Sequence, residues 1–432
     1  MRVVIDSLAY GGAGVARAKD GRIVFVEDAC PGDTLEVVVT EEHPRFMRAR
    51  IAQILEPSAE RVPPPCPYFG DCGGCQWQHV AYAAQVESKK VAIEDALTRI
   101  GKQAGARIGH IDPSPETYGY RNKIELSMTE TPKGPALGFA RHASNDVIQI
   151  DACLLLPHSA RKAPRALSGA LRYLSSRMQT PVERVSLRIS RLAELEVDLW
   201  TAPGAFSRQL AAKVIGDAVG ARTVTRVITK GEPEARKVTR VEVLAGPGAW
   251  REKLGAYTYL VSAPSFFQVN TRAAELLQRA VISSVAADDT SLVADLYAGV
   301  GTFTLPLAAA SCEVVAAESS SHALSDLRRN LDAAGLNADI IGGDAGRIAE
   351  ELGNVDTIVV DPPRAGLSEH AARALIQARA NKIVYVSCDP TTLARDARAL
   401  ADAGYRLSAL DAVDLFPQTY HVETVATLIR ED

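Results

Sequence analysis

Much of the chemistry available to this chain of 432 residues lies in its cysteines and in acids placed at the ends of strand-like runs. In "VYVSCDPTTLARD" (384–396), Cys388 stands where an apolar strand stops and Pro390-Thr391 reads as the first turn of a helix. A structural cysteine would normally lie inside the apolar run. Here the thiol falls at the carboxyl end of a strand, where open α/β sheets bind ligands, and at a helix N-terminus, which favours the thiolate. Asp295, Glu318, Asp344 and Asp361 occupy equivalent strand-end positions. Each alone could cap a helix. Four around one crevice suit a cofactor with positive charge and no phosphate, such as S-adenosylmethionine, and would repel a pyrophosphate.

"VADLYAGVGTFTLPLA" (293–308) supplies a strand, a Gly-rich turn and a helix, with Gly299 and Gly301 allowing a tight turn and close approach to a ligand. Thr304 stands in place of the third glycine of a dinucleotide fingerprint, and Glu318 follows at a distance suited to a ribose diol. "DPPR" (361–364) brings in methylation of exocyclic amines, but that chemistry uses an aromatic at the fourth position, where Arg364 stands, and needs no thiol. A methyl donor together with Cys388 points to an unreactive ring carbon. A pyrimidine C5 becomes nucleophilic once a thiolate has added at C6, and a base must afterwards remove the C5 proton. Glu423, interrupting the apolar run of "YHVETVATL", is the candidate base; a charge that guards an edge strand is the bland alternative. Uracil and cytosine both remain open on this chemistry. An RNA-binding module with a degenerate catalytic domain is a third class, opposed by the intact Cys388 and Glu423.

The elements that must position these residues divide the chain into three. Residues 1–57 hold short β-like runs ("GRIVFV", "DTLEVVVT", "RARIAQIL") that fit a small OB-like barrel. Residues 58–262 open with the Pro- and Gly-rich "RVPPPCPYFGDCGGCQW" and an amphipathic helix ended by Gly101, then alternate strands with one or two helices, an α+β pattern. Residues 263–432 alternate helix and strand as a Rossmann-like, mostly parallel sheet, and end in two strands that can pair as an antiparallel hairpin at the sheet edge. Residues 1–262 carry 35 Lys and Arg against 29 Asp and Glu, whereas residues 263–432 carry 13 against 23. A basic front and an acidic back suggest one part that holds a polyanion and another that does chemistry. No run spans a membrane and no signal-like block opens the chain, so a cytoplasmic monomer is expected.

"DLYAGVGTFTLPLA", "DPPRAGL", "VYVSCDPTTLARD" and "FPQTYHVETVATL", in that order, resemble the S-adenosylmethionine-dependent RNA uracil-5-methyltransferases, and "SFFQVN" (265–270) and "YGYRNK" (118–123) extend the likeness over nearly the whole chain. The resemblance implies a TRAM domain at the N-terminus, Cys388 as nucleophile and Glu423 as general base. It places Gln268, Tyr297, Gly299, Gly301, Thr302, Glu318, Asp344 and Asp361 at the cofactor or base pocket. Cys66, Cys72 and Cys75, spaced C-x5-C-x2-C, with Cys153 as a distant fourth, could hold zinc or an iron–sulfur cluster. The resemblance implies a 4Fe–4S cluster of structural role. Cys30 and Cys312 are expected in packing. RNA is the expected partner, ribosomal RNA first and transfer RNA second, with Tyr118 or Tyr120 as a stacking platform or as core residues.

Overall fold

The computed structural model describes residues 1–231, 236–311 and 313–431; Cys312, expected in packing, lies outside them. The first strands are β1 (Arg2–Val4), β2 (Ser7–Leu8), β3 (Gly14–Arg17), β4 (Ile23–Val26), β5 (Thr34–Glu42) and β6 (Phe46–Glu56). They form one sheet in the order β1-β5-β6-β4-β3-β2. Alternating residues such as Val24, Val26, Leu35, Val37, Met47 and Ala49 bury one face, as a half-solvated sheet requires.

Next come α1 (Tyr82–Arg99) and β7 (His110–Asp112), then β8 (Lys123–Thr131), β9 (Gly134–Ala140), β10 (Val147–Gln149), α2 (Ala163–Ser175), β11 (Val182–Ile189), β12 (Leu195–Thr201), α3 (Arg208–Val219), β13 (Thr223–Lys230) and β14 (Lys237–Ala245). The central sheet runs β10-β9-β8-β11-β12-β13-β14, and Leu167, Leu171 and Leu174 of α2 with Ala211 and Ile215 of α3 cover one face. A hairpin of β15 (Trp250–Leu254) and β16 (Tyr257–Val261) leads into the last third.

There, α4 (Thr271–Val285), β17 (Leu292–Leu296), α5 (Thr304–Ala310), β18 (Glu313–Glu318), α6 (Ser321–Ala334), β19 (Asp339–Gly342), α7 (Ala345–Glu351), β20 (Thr357–Val360), α8 (Glu369–Ala378), β21 (Lys382–Ser387), α9 (Pro390–Asp402), β22 (Tyr405–Val413) and β23 (Glu423–Arg430) build a sheet of order β19-β18-β17-β20-β21-β23-β22-β7. β17 to β21 are parallel neighbours and β23 runs antiparallel to β21 and β22. All four residues of β20 are buried, because helices cover both faces. Leu97, Ile348, Leu375 and Leu393 pack on one side, and Leu277, Val281 and Leu307 on the other.

Three features differ from the sequence expectation. The hairpin β22–β23 is not the edge, because β7 adds to β22 in parallel. Helix α1 and β7, expected with residues 58–262, pack with the C-terminal sheet: Ile93, Ala96, Leu97 and Ile108 share its core. The β15–β16 hairpin also buries Trp250, Leu254 and Tyr259 against Phe267, Leu305 and Leu327 of the last third. No helix among the described residues is long and apolar enough to cross a membrane.

One polar link fastens α1 to the segment before β23. The Lys89 ammonium, fully buried, donates to Asp414 Oδ1 at 2.7 Å and to the Phe416 carbonyl at 3.1 Å, while Tyr82 donates to Asp414 Oδ2 at 2.9 Å. Burial pulls the Lys89 pKa below its ordinary value, with Asp414 opposing. Lys89→Met should therefore cost about 3–5 kcal/mol in denaturant unfolding, because it strands a buried carboxylate. The exposed Glu87→Gln should stay within about 0.5 kcal/mol.

Candidate active site

At the turn between β21 and α9, Pro390 occupies a first helical position where no N–H is needed. Asp389 Oδ1 accepts from the Thr391 and Thr392 N–H groups at 2.8 and 3.3 Å, and the Asp389 N–H donates to Ser387 Oγ at 3.1 Å. Cys388, half-buried, lies between these tethers. The helix N-terminus does not activate it. Burial pushes the thiol up to about 12, Glu423, Asp361 and Asp389 add to the rise, and Arg364 opposes it. The reason is visible in the turn: the Asp389 carboxylate already satisfies the helix N–H groups whose partial charge would have served the thiolate.

Glu423 opens β23. Thr424 pairs with Ser387 of β21 and Glu423 with Val413 of β22, so one further step of the antiparallel register sets Glu423 opposite Cys388. Glu423 is 5% exposed. Burial raises its carboxyl well above the usual range, Asp361 adds to this and Arg364 opposes it.

The acids at the strand ends take different parts. Asp295 is fully buried and accepts from the Thr304 hydroxyl at 2.6 Å. That bond explains why threonine replaces the third glycine. Burial lifts Asp295 to about 6, and burial with Asp295 nearby raises Asp361 as well. Glu318 accepts from the Gly299 N–H at 2.9 Å and the Ser320 N–H at 2.6 Å, which fixes its carboxylate beside the glycine turn. Asp344 caps α7 through the Gly346 and Arg347 N–H groups, so for this acid the capping alternative is realised. Gly299, at φ +58°, would present a Cβ to open space, whereas a Cβ on Gly301 would lie 2.6 Å from Leu305 Cδ1. Gly299 thus has open space beside it, whereas Gly301 is closely packed where a side chain would stand. Tyr297 is half-buried and holds φ +70°, an uncommon strain for a non-glycine residue at this turn. The Thr302 carbonyl accepts from Gln278 Nε2 at 2.8 Å, and the buried Gln268 offers its carbonyl to Asn122 Nδ2 at 2.8 Å, joining "SFFQVN" to "YGYRNK".

A cavity of about 660 Å³ is lined by Cys66, Cys72, Cys75 and Cys153 and also by Arg364 and His421. The cysteines are free thiols. Burial raises Cys72, Cys75 and Cys153, Cys75 up to about 12, and the proximity of the four contributes. The Gly74 N–H lies 3.5 Å from Cys72 Sγ. Among the described residues, no three His, Cys, Asp or Glu side chains are gathered closely enough to hold a metal ion. Phe266, 64% exposed, also lines this cavity. Tyr120 is a core residue whose hydroxyl donates to the Pro417 carbonyl at 3.0 Å, not a stacking platform; Tyr118 is half-buried. Cys30 is buried in a small core with Leu8, Trp77 and Val80.

The family described as tRNA (Uracil-5-)-methyltransferase matches residues 347–431, a TRAM domain matches residues 1–52, and a methyltransferase small domain matches residues 270–384. The chain is 35% identical over 443 residues to an uncharacterized RNA methyltransferase of Gloeobacter violaceus, covering 99% of this chain and 96% of the relative. It is 29% identical to an uncharacterized RNA methyltransferase of Thermotoga maritima, with coverage of 100% and 99%. Among solved structures, the Pyrococcus abyssi tRNA (uracil-54, C5)-methyltransferase in complex with S-adenosyl-L-homocysteine superimposes with a TM-score of 0.77 at 27% identity, covering 99% of this chain and 100% of that one. The chain belongs to the RNA uracil-5-methyltransferase family.

It is thus an S-adenosylmethionine-dependent RNA methyltransferase with a TRAM domain at its N-terminus. In this uracil-5-methyltransferase, sequence reasoning passed over Arg364, read only as a missing aromatic, and over His421 and Phe266, which sat inside motifs already singled out. His421 is held neutral, its pKa lowered to about 4 by burial and then by Arg364. Because burial and the neighbouring acids favour the neutral Cys388 thiol, its alkylation in RNA-free protein, followed by peptide mapping, should climb roughly tenfold per pH unit beyond pH 9. A plateau near pH 8.5, the ordinary thiol value, would contradict this reading.

Proposed function

We propose that this methyltransferase transfers a methyl group to C5 of a uridine in RNA through a covalent adduct between Cys388 Sγ and C6 of the base. The observation that carries the reading is the β21–β23 register, which sets a buried carboxyl opposite the thiol at the carboxyl end of the sheet. Bond formation from Sγ to C6 pushes the C5–C6 electrons toward O4 and makes C5 nucleophilic. Arg364 is the positive charge that favours the thiolate. Asp295, Glu318 and Asp361, with the open space at Gly299, suit a sulfonium-bearing donor, and S-adenosylmethionine held there would supply the electrophilic methyl group. Glu423 then takes the C5 proton, those electrons restore the C5–C6 double bond, and Sγ departs. A carboxylate whose pKa is raised by burial is a stronger base for that step.

Transfer RNA is the first substrate to test. Ribosomal RNA is the first expectation from the resemblance, yet a structure named for a transfer-RNA uridine matches this chain from end to end. Ribosomal RNA is the second. Cys388→Ala should abolish both turnover and any denaturation-resistant protein–RNA species. Glu423→Gln should still add and methylate, so that an adduct unable to eliminate accumulates on a denaturing gel. A folded, cofactor-binding Glu423→Gln protein without adduct would remove Glu423 from the base role. Mapping 5-methyluridine in transfer and ribosomal RNA, with and without the protein, decides the substrate.

In this reading Cys66, Cys72, Cys75 and Cys153 hold a 4Fe–4S cluster that ties the loop after the TRAM domain to the central domain. Support comes from four thiols lining the same cavity and from the Gly74 N–H directed at Cys72 Sγ, since hydrogen bonds to sulfur accompany such clusters. Anaerobically purified protein should be brown, with iron and sulfide each near about four per chain. Colourless, active protein with stoichiometric zinc would defeat it.

A further inference from the structure

The TRAM domain reaches the catalytic turn itself. Between β2 and β3 the chain makes a tight loop, in which the Ala9 N–H donates to the Ala13 carbonyl at 2.8 Å and the Gly12 N–H to the Ala9 carbonyl at 3.0 Å. Gly11 and Gly12 take φ +112° and +103°, where side chains are strained. A Cβ on Gly12 would stand 3.2 Å from Gln76 Cβ and 3.5 Å from Tyr420 Cδ1. Trp77 Nε1 donates to the Gly12 carbonyl at 3.0 Å, and the Gln76 and Trp77 N–H groups both donate to the Gln418 carbonyl. The loop is therefore locked against the segment that runs into Glu423.

From this loop Tyr10, half-buried, donates its hydroxyl proton to the Cys388 carbonyl at 3.2 Å. Its ring meets Tyr420 edge-on with centroids 5.2 Å apart, and His421 at 6.4 Å. One side chain thus touches both the nucleophile's turn and the approach to the base. Burial, with Asp389 and Cys388 adding to it, holds the phenol far above its ordinary pKa, so it stays a donor at any working pH.

We propose that Tyr10 is a positioning residue for methyl transfer: through it the TRAM domain completes the active site by fixing the Cys388 turn relative to the segment that carries Glu423. This goes beyond a TRAM domain that only holds RNA. The physical case is simple. Cys388 lies between the last strand residue, Ser387, and the helix cap, Asp389. The peptide unit joining Cys388 to Asp389 is held on its N–H side by Ser387 Oγ and on its carbonyl side by Tyr10. The Tyr10 hydrogen bond thus supplies the second anchor of the nucleophile's own peptide, and small displacements of a nucleophile from its attack geometry are costly.

The inference rests on the adduct chemistry proposed above, so the experiment separates the two. Transcripts of transfer RNA and of ribosomal RNA are made with 5-fluorouridine, whose C5 fluorine cannot be removed as a proton, so that the Cys388 adduct accumulates in a single turnover. Rates at saturating RNA are expressed per S-adenosylhomocysteine-binding site, so loss of folded protein does not count. Tyr10→Phe keeps the ring and loses only the donor; adduct formation should slow about fivefold, the scale of one net hydrogen bond, with RNA and S-adenosylhomocysteine affinities unchanged. Tyr10→Ala, which also loses the ring contact with Tyr420, should be slower still. A Tyr10→Phe protein as fast as the parent, or one slowed only through weaker RNA binding, overturns the proposal. If the parent itself forms no adduct with either transcript, the adduct reading falls, and this proposal with it.

Discussion

A single strand register holds the chemistry of this enzyme together. Because β23 enters the sheet antiparallel to β21, with Ser387 beside Thr424, the residues just beyond that pair meet at the end of the sheet where parallel strands leave their acids. A slip of one residue would turn Glu423 to the other face. The register is held firmly: β23 is buried from Glu423 to Leu428, between helical layers, and the loop before it is gripped by α1 through Lys89 and Asp414. The thiol and the carboxyl therefore have separate supports, one from the capped turn and one from the buried strand, and need only be kept at a fixed spacing.

The electrostatics of the crevice follow from its burial. Burial raises the carboxyls of Asp295, Asp361 and Glu423, and with the neighbouring acids it raises the Cys388 thiol as well. Arg364 is the counterweight that reaches Cys388, Glu423 and His421 together. The excess of acids in residues 263–432 is thus partly a property of the site, while residues 1–262 carry the basic excess that suits a part holding a polyanion.

The strands of the C-terminal sheet were legible because a sheet covered on both faces needs continuous apolar runs, and "TIVV" and "KIVYVS" are such runs. Cys388 and Glu423 stood out in the sequence because one follows directly on an apolar strand and the other interrupts an apolar run. What could not be read was anything set by partners far away in the chain. β7 is three residues long and owes its existence to β22. The amphipathic stripe of α1 says that it packs, not that it packs on α9. Tyr10 carries no local signal at all. Nor did the sequence signal that the helix N-terminus beside Cys388 is taken up by its own capping carboxylate, Asp389.

The placement of α1 and β7 also bears on how the chain is made. They emerge from the ribosome early, yet β22 lies roughly 300 residues further on, and at about 5–20 residues per second its synthesis follows tens of seconds later. The central sheet, whose strands all lie between residues 123 and 245, can close in that interval. Ile93 and Leu97 cannot be covered until the last third arrives. During translation this enzyme therefore carries an uncovered apolar helix face, a surface that an unfinished chain can never bury.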